Sequence, residues 1–155
     1  MGVHSIKAVQ RIPASLSAVW DFFSSPSNLQ TITPADLKFK VISKHHGEKI
    51  YAGQIIEYTI RPVLGVPVYW MTEITHVKDR EFFADEQRKG PYKLWHHQHH
   101  FKQIPGGVEM TDIVHYKSPG WILEPIVDRL IVRPKLDKIF RFRFDVIEQQ
   151  FGKWK

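Results

Sequence analysis

The chain has no cysteine in its 155 residues, which excludes disulfides, iron–sulfur clusters, thiolate zinc sites and cysteine nucleophiles. No apolar run approaches transmembrane length, and the first ten residues hold no apolar signal core. A cytoplasmic location is the expectation from these missing signals. There is no internal repeat, low-complexity stretch or linker, so one domain over 1–155 is expected. Serine nucleophile elbows, phosphate-binding glycine loops and dinucleotide fingerprints are also missing, which removes the most common routes to an enzyme assignment.

Charge of one sign is in modest excess: 22 basic against 16 acidic residues, a net of +6. That permits contact with nucleic acid or anionic membrane without requiring either. Arg129, Arg133, Lys135, Lys138 and Arg141 are interleaved with Asp128 and Asp137 and fall on several sides of a helical stretch. They read as a solvated face. No nucleic-acid-binding motif accompanies them, so no nucleic-acid partner is expected, and membrane contact has only this basic surface in its favour. Aromatic residues are plentiful, with 10 Phe, 5 Trp and 5 Tyr, more than a core usually needs.

Periodicity organises the chain. Val3 to Ile12 alternates loosely and predicts a strand, ended by Pro13. Ser15 is the expected N-cap of a helix over Leu16 to Phe23. Pro26 and Ser27 open a second short helix toward Leu29 and Ile32, stopped by Pro34. From Leu37 to Lys117 the period is two. Strands are expected at Leu37–Val41, Gln54–Ile60, Val68–His76, around Phe83–Gln87, at Tyr92–Gln103 and at Val108–Lys117, joined as an antiparallel meander. After Pro119-Gly120 the period returns to 3.6. A helix is predicted from about Leu123 to Phe151, disturbed at Pro134 and carrying the stripe Leu136, Ile139, Phe140, Val146, Ile147 and Phe151. One helix covers only part of a seven-stranded curved sheet, so a pocket between them is expected.

Alternation sorts the strand residues into two faces. The face that must meet the helix is rich in aromatic and apolar residues, among them Tyr58, Trp70, Trp95, Phe101 and Tyr116. It also carries Asp85, Gln87, His97, His99 and Asp112, and the helix stripe carries Arg143. Buried ionisable groups cost several kcal/mol unless paired, so these six imply a polar network or a wet cavity. Arg143 is expected to pair with Asp85 or Asp112. His97-x-His99 has the spacing of strand-borne metal sites, with Asp85 or Asp112 as a third ligand. We read it instead as a histidine pair hydrogen-bonded to carboxylate, amide and water, with no metal and no cofactor. His96 and His100 point to solvent.

Several motifs together resemble a known family. They are Phe83-x-Asp85-x-Gln87, Gly90-Pro91-Tyr92, Trp95-x-His97-x-His99-x-Phe101 and Thr111-Asp112-x-Val114-x-Tyr116. With them go Pro119-Gly120, Ile139-Phe140-x-x-Arg143 and, near the N-terminus, Pro26-x-Asn28-Leu29-x-x-Ile32-Thr33-Pro34. They are similar to a bacterial ligand-binding, cyclase/dehydrase-like branch of the SRPBCC superfamily, which includes START lipid-transfer domains and the birch-pollen allergen type. The resemblance covers nearly the whole chain. It implies an α+β helix-grip fold: a seven-stranded curved antiparallel sheet wrapped around a long C-terminal helix, with two short helices between strands 1 and 2.

The expected function is the binding of a small, mostly hydrophobic molecule in the internal cavity. Its walls would be Tyr58, Trp70, Trp95, Phe101 and Tyr116, and Asp85, Gln87, His97, His99, Asp112 and Arg143 would orient its polar group. The short helices and the turns near Val63 to Pro67 and at Pro119-Gly120 would rim the entrance. The alternative is a polyketide cyclase or dehydratase in which His97 or His99 moves a proton and Asp85 or Asp112 orients the imidazole. A membrane-docking lipid carrier is a third reading. The oligomeric state is left open.

Overall fold

The computed structural model describes residues 2–44, 49–61, 65–119 and 123–155. Val63, Leu64 and Gly120, expected at the cavity rim, lie outside the described residues. Strand β1 (His4–Ile12) leads into α1 (Leu16–Phe23), and the short β2 (Lys40–Val41) follows. The strands β3 (Ile55–Ile60), β4 (Val68–Lys78), β5 (Phe82–Lys89), β6 (Leu94–Ile104) and β7 (Gly107–Lys117) form the meander. All seven make one antiparallel sheet in the order β1-β7-β6-β5-β4-β3-β2. The chain ends in α2 (Glu124–Val127), a π-helical turn (Asp128–Val132) and α3 (Arg133–Phe151). No helix among the described residues is long and apolar enough to cross a membrane.

Local chemistry sets the elements. Ser15 caps α1 by accepting from the Ala18 N–H at 3.2 Å, and the helix buries Val19, Trp20 and Phe23. The second predicted helix is a 3₁₀ turn over Pro26–Leu29, and a further 3₁₀ turn at Ala35–Leu37 follows Pro34. That second turn takes Leu37 out of the strand expected there. Lys38, just after it, is left-handed at φ 47°, so pairing begins only at Lys40. Pro134 lacks the N–H that a regular helix would use, and the wide π-turn lies immediately before it.

The pairing of β4 with β5 breaks register twice. Arg88 is an extra residue on β5, since Met71 pairs with Lys89 and Thr72 with Gln87, and Thr75 is an extra residue on β4, since Ile74 pairs with Asp85 and His76 with Ala84. The bulge at Thr75 turns His76 out to solvent and leaves Val77 packed against the core. Gly107 opens β7 so close to β1 that a Cβ there would fall on the Ile12 carbonyl oxygen. No side chain fits at that corner.

The core has two ends. The dry end joins Trp20, Phe23, Phe83, Phe101, Met110 and Ile147. At the other end Val114, Tyr116, Val132 and Leu136 form one cluster, and Leu37, Ile60 and Trp70 another. A buried polar clasp fastens the start of the C-terminal helix to the sheet. Glu124 and Asp128 are 2% and 4% exposed, too little for solvent to satisfy their carboxylates. Glu124 meets His4 Nε2 at 2.8 Å, and Asp128 accepts from Ser118 Oγ at 2.7 Å.

Candidate functional site

Between α3 and the inner face of the sheet lies a cavity of about 320 Å³. Its sheet wall includes Tyr58, Trp70, Thr72, Asp85, Trp95, His97 and His99. Its helix wall is Leu136, Ile139, Phe140 and Arg143, at i, i+3, i+4 and i+7 on one face of α3. Leu29, Ile32 and Leu37, from the segment after α1, close a third side. The aromatic side chains form a connected wall. Trp70 stacks on Tyr58 with ring centroids 5.6 Å apart, and meets Trp95 edge-on at 5.3 Å and Tyr92 at 5.4 Å.

Alternation alone places Tyr92 at the start of a strand. It sits instead in the β5–β6 turn, and Gln87 holds it there. The Gln87 amide donates to the Tyr92 carbonyl at 2.7 Å and accepts from the Tyr92 N–H at 3.2 Å. A Cβ on Gly90 would collide with that amide. Gln87 is thus a brace for the wall rather than part of it, since both ends of its amide are engaged.

Three other expected lining residues also stand outside the cavity wall. Phe101 belongs to the dry end, 5.3 Å from Trp20 and 5.7 Å from Phe23. Tyr116 is buried among Val114, Val132 and Leu136, stacked on His4 at 5.3 Å. Asp112 is taken up by the histidines and Arg143. The other expected residues, Tyr58, Trp70, Asp85, Trp95, His97, His99 and Arg143, do line the cavity.

Cross-strand pairing brings the polar group together. Asp85 is paired with His97, and His99 with Asp112, on adjacent strands. His97 Nε2 lies 2.8 Å from Asp112 Oδ1, and His99 Nε2 lies 3.2 Å from Asp85 Oδ2. Arg143 donates from Nη1 to Asp112 Oδ1 at 3.2 Å, so Asp112 is the acid that pairs with it. His99 Nδ1 is 2.9 Å from the same oxygen but off the hydrogen-bonding direction, and makes no hydrogen bond. The imidazoles of His97 and His99 lie 3.8 Å apart, with Phe83 stacked on His99 at 4.1 Å.

The four titratable groups of the cluster move in different directions. Burial pushes the Asp112 carboxyl up, but Arg143, His97 and His99 outweigh it and hold the group well below the usual carboxylate range. Burial likewise raises Asp85, and its contacts with His99 and His97 more than reverse this. Burial and the neighbouring His99 charge bring His97 below its ordinary value despite Asp112. Burial also lowers His99, yet Asp112 and Asp85 together hold it above its ordinary value. The pair therefore splits, with His99 keeping its proton to higher pH than His97.

Elsewhere on the wall, Tyr58 donates to or accepts from Thr72 Oγ1 at 3.0 Å, and burial pushes its hydroxyl pKa up. The indole N–H of Trp70 is buried without a partner. The basic residues of the helix do not gather on one surface. Lys135 reaches the cavity, Lys138 pairs with Asp36 at 2.6 Å, and Arg129, Arg133 and Arg141 are exposed.

No protein-family model matches the sequence, and neither does any curated protein. Solved structures do. The chain is similar to TTHA0849 from Thermus thermophilus at a TM-score of 0.72 and 15% identity, over 96% of this chain and 97% of that one. It is similar to protein Ms6760 from Mycobacterium smegmatis at 0.67 and 15%, over 97% and 98%. The ginseng major latex-like protein 151 from Panax ginseng matches at 0.68 and 13%, over 96% and 97%. At such identities the likeness is one of fold. With seven antiparallel strands curved around a long C-terminal helix, this chain has the helix-grip fold.

Proposed function

We propose that the protein binds a small, mostly apolar molecule in the cavity between sheet and helix. The observation that carries this reading is the cavity itself: about 320 Å³, walled by Tyr58, Trp70, Tyr92 and Trp95, with Asp85, His97, His99 and Arg143 clustered among its few polar groups. Small-molecule sites span about 300–1,000 Å³ and combine apolar walls with a few convergent polar groups. Burial against the walls supplies most of the affinity, at roughly 25 cal/mol per Å². Asp85, Asp112 and Arg143 are engaged with one another through the histidines, so a neutral hydroxyl or carbonyl on the ligand suits this end. The polar side chains that line the cavity, Thr72, Asp85, His97 and His99 among them, are the partners available to such an oxygen.

The test is a titration with N-phenyl-1-naphthylamine, a neutral apolar fluorophore. Saturable one-to-one binding is expected, with quenching of the Trp70 and Trp95 emission. An absence of saturable binding would sink the reading.

The cyclase or dehydratase reading draws on one observation. His97 is neutral, faces the cavity and is oriented by Asp112, as a general base must be. It requires that His97→Ala and Asp85→Asn abolish turnover of a polyketide substrate while leaving its binding intact. Loss of binding or folding instead would leave the cavity as a binding site alone.

A further inference from the structure

We propose that Asp85, His97 and His99 hold a divalent transition-metal ion at the polar end of the cavity. The donors would be Asp85 Oδ2, His97 Nδ1 and His99 Nε2. The distance from Asp85 Oδ2 is 3.7 Å to the first nitrogen and 3.2 Å to the second, and donor atoms of all three residues lie within 4.8 Å of one another. Ligands at about 2.0–2.1 Å from a tetrahedral ion stand about 3.3 Å apart, so the Asp85 oxygen is already close to ligand spacing from both imidazoles.

Sequence spacing alone favours a hydrogen-bonded histidine pair. The structure adds what the spacing does not contain: both imidazoles turn their far nitrogen to a single outer carboxylate. Asp112 Oδ1 stands 2.8 Å from His97 Nε2 and 2.9 Å from His99 Nδ1. For His97 this is a hydrogen bond on the nitrogen opposite the metal, the way metal-binding histidines are oriented, while His99 Nδ1 stands near the same oxygen without bonding to it. Asp112 is in turn held by Arg143. Each donor rises from a strand of the sheet, and the close contact of the two tilted imidazoles and the stacking of Phe83 on His99 hold the rings in place.

With both imidazoles neutral, as ligation demands, Asp85 and Asp112 outweigh Arg143 by one negative charge, so a divalent ion would bring the cluster to a net +1 and favour an anionic group in an open coordination position. The proton that His99 Nε2 shares with Asp85 is what the ion would displace. Two nitrogens and one carboxylate suit zinc or ferrous iron rather than magnesium or calcium. All three residues line the cavity, so the coordination positions left open face whatever the cavity holds.

The test uses the metal alone, and so does not depend on the cavity's ligand. Protein stripped by chelator dialysis is titrated with Zn²⁺ by calorimetry. One ion per chain is expected, with His97→Ala or Asp85→Asn weakening it by about 100-fold or more, and Asp112→Asn by about 10–100-fold. His96→Ala with His100→Ala, on the outer face, should leave the affinity unchanged. Because the inner variants could misfold, the wild-type protein is also read by imidazole ¹⁵N shifts. Zn²⁺ should move His97 Nδ1 and His99 Nε2. No saturable uptake, or shifts confined to outward histidines, would overturn the proposal.

Discussion

Replacing Asp112 by alanine is expected to lower the unfolding free energy by about 3–5 kcal/mol, the usual effect of removing one partner from a buried ion pair. Its Oδ1 receives Arg143 at 3.2 Å and His97 at 2.8 Å, and faces His99 at 2.9 Å. The side chains of Asp112 and Arg143 are 9% and 14% exposed, so water does little to compensate. Without the carboxylate, the buried Arg143 guanidinium loses its ion-pair partner and His97 loses its hydrogen-bond acceptor. A domain of this size has about 5–15 kcal/mol in total, so the variant should unfold at a much lower urea concentration. Adding Arg143→Met should recover part of the loss, because the second change removes the charge that the first leaves unpaired. A loss below about 1 kcal/mol would place the pair in the class of solvated ion pairs and show that cavity water screens it.

Ile139→Trp is expected to weaken N-phenyl-1-naphthylamine binding by at least about tenfold, or about 1.4 kcal/mol, with little change in melting temperature. Ile139 is on the cavity-facing side of α3 and packs against both the Trp70 and the Tyr116 clusters. An indole there grows into empty space rather than into packed side chains. The matching control is Ile147→Trp on the same helix. Ile147 is 1% exposed in the dry core, where extra volume should cost about 1–3 kcal/mol of stability without touching the ligand. If Ile139→Trp binds the probe as the wild type does, the probe lies somewhere other than the cavity.

The inner face of the sheet was legible because a strand's period of two leaves little freedom. Asp85, His97, His99 and Asp112 had to share a face, and Arg143 fell within the helix stripe. What the sequence could not decide were the choices made by non-local geometry. Asp85 and Asp112 are equivalent by alternation, and only the strand order and the placement of α3 give Arg143 to Asp112. Phe101 and Tyr116 share the inward face with Trp95, yet they lie under α1 and the helix start rather than under the gap. The His4–Glu124 contact joins residues 120 positions apart, and nothing local marks it. The bulge at Thr75 and the 3₁₀ turn at Ala35–Leu37 are likewise settled by neighbours, not by pattern.

The π-turn at Asp128–Val132 sets the phase between the two halves of the C-terminal helix. Val127 and Val132 are five residues apart, and both line the cavity. In a uniform α-helix five residues turn through about 500°, which would leave the two side chains about 140° out of line. The wider i→i+5 winding returns residues five apart to nearly the same side. One extra residue in a single turn thus lets the clasp on His4 and the face that carries Arg143 both be in register. Excising it would leave either the anchor or the cavity wall rotated away from its partner.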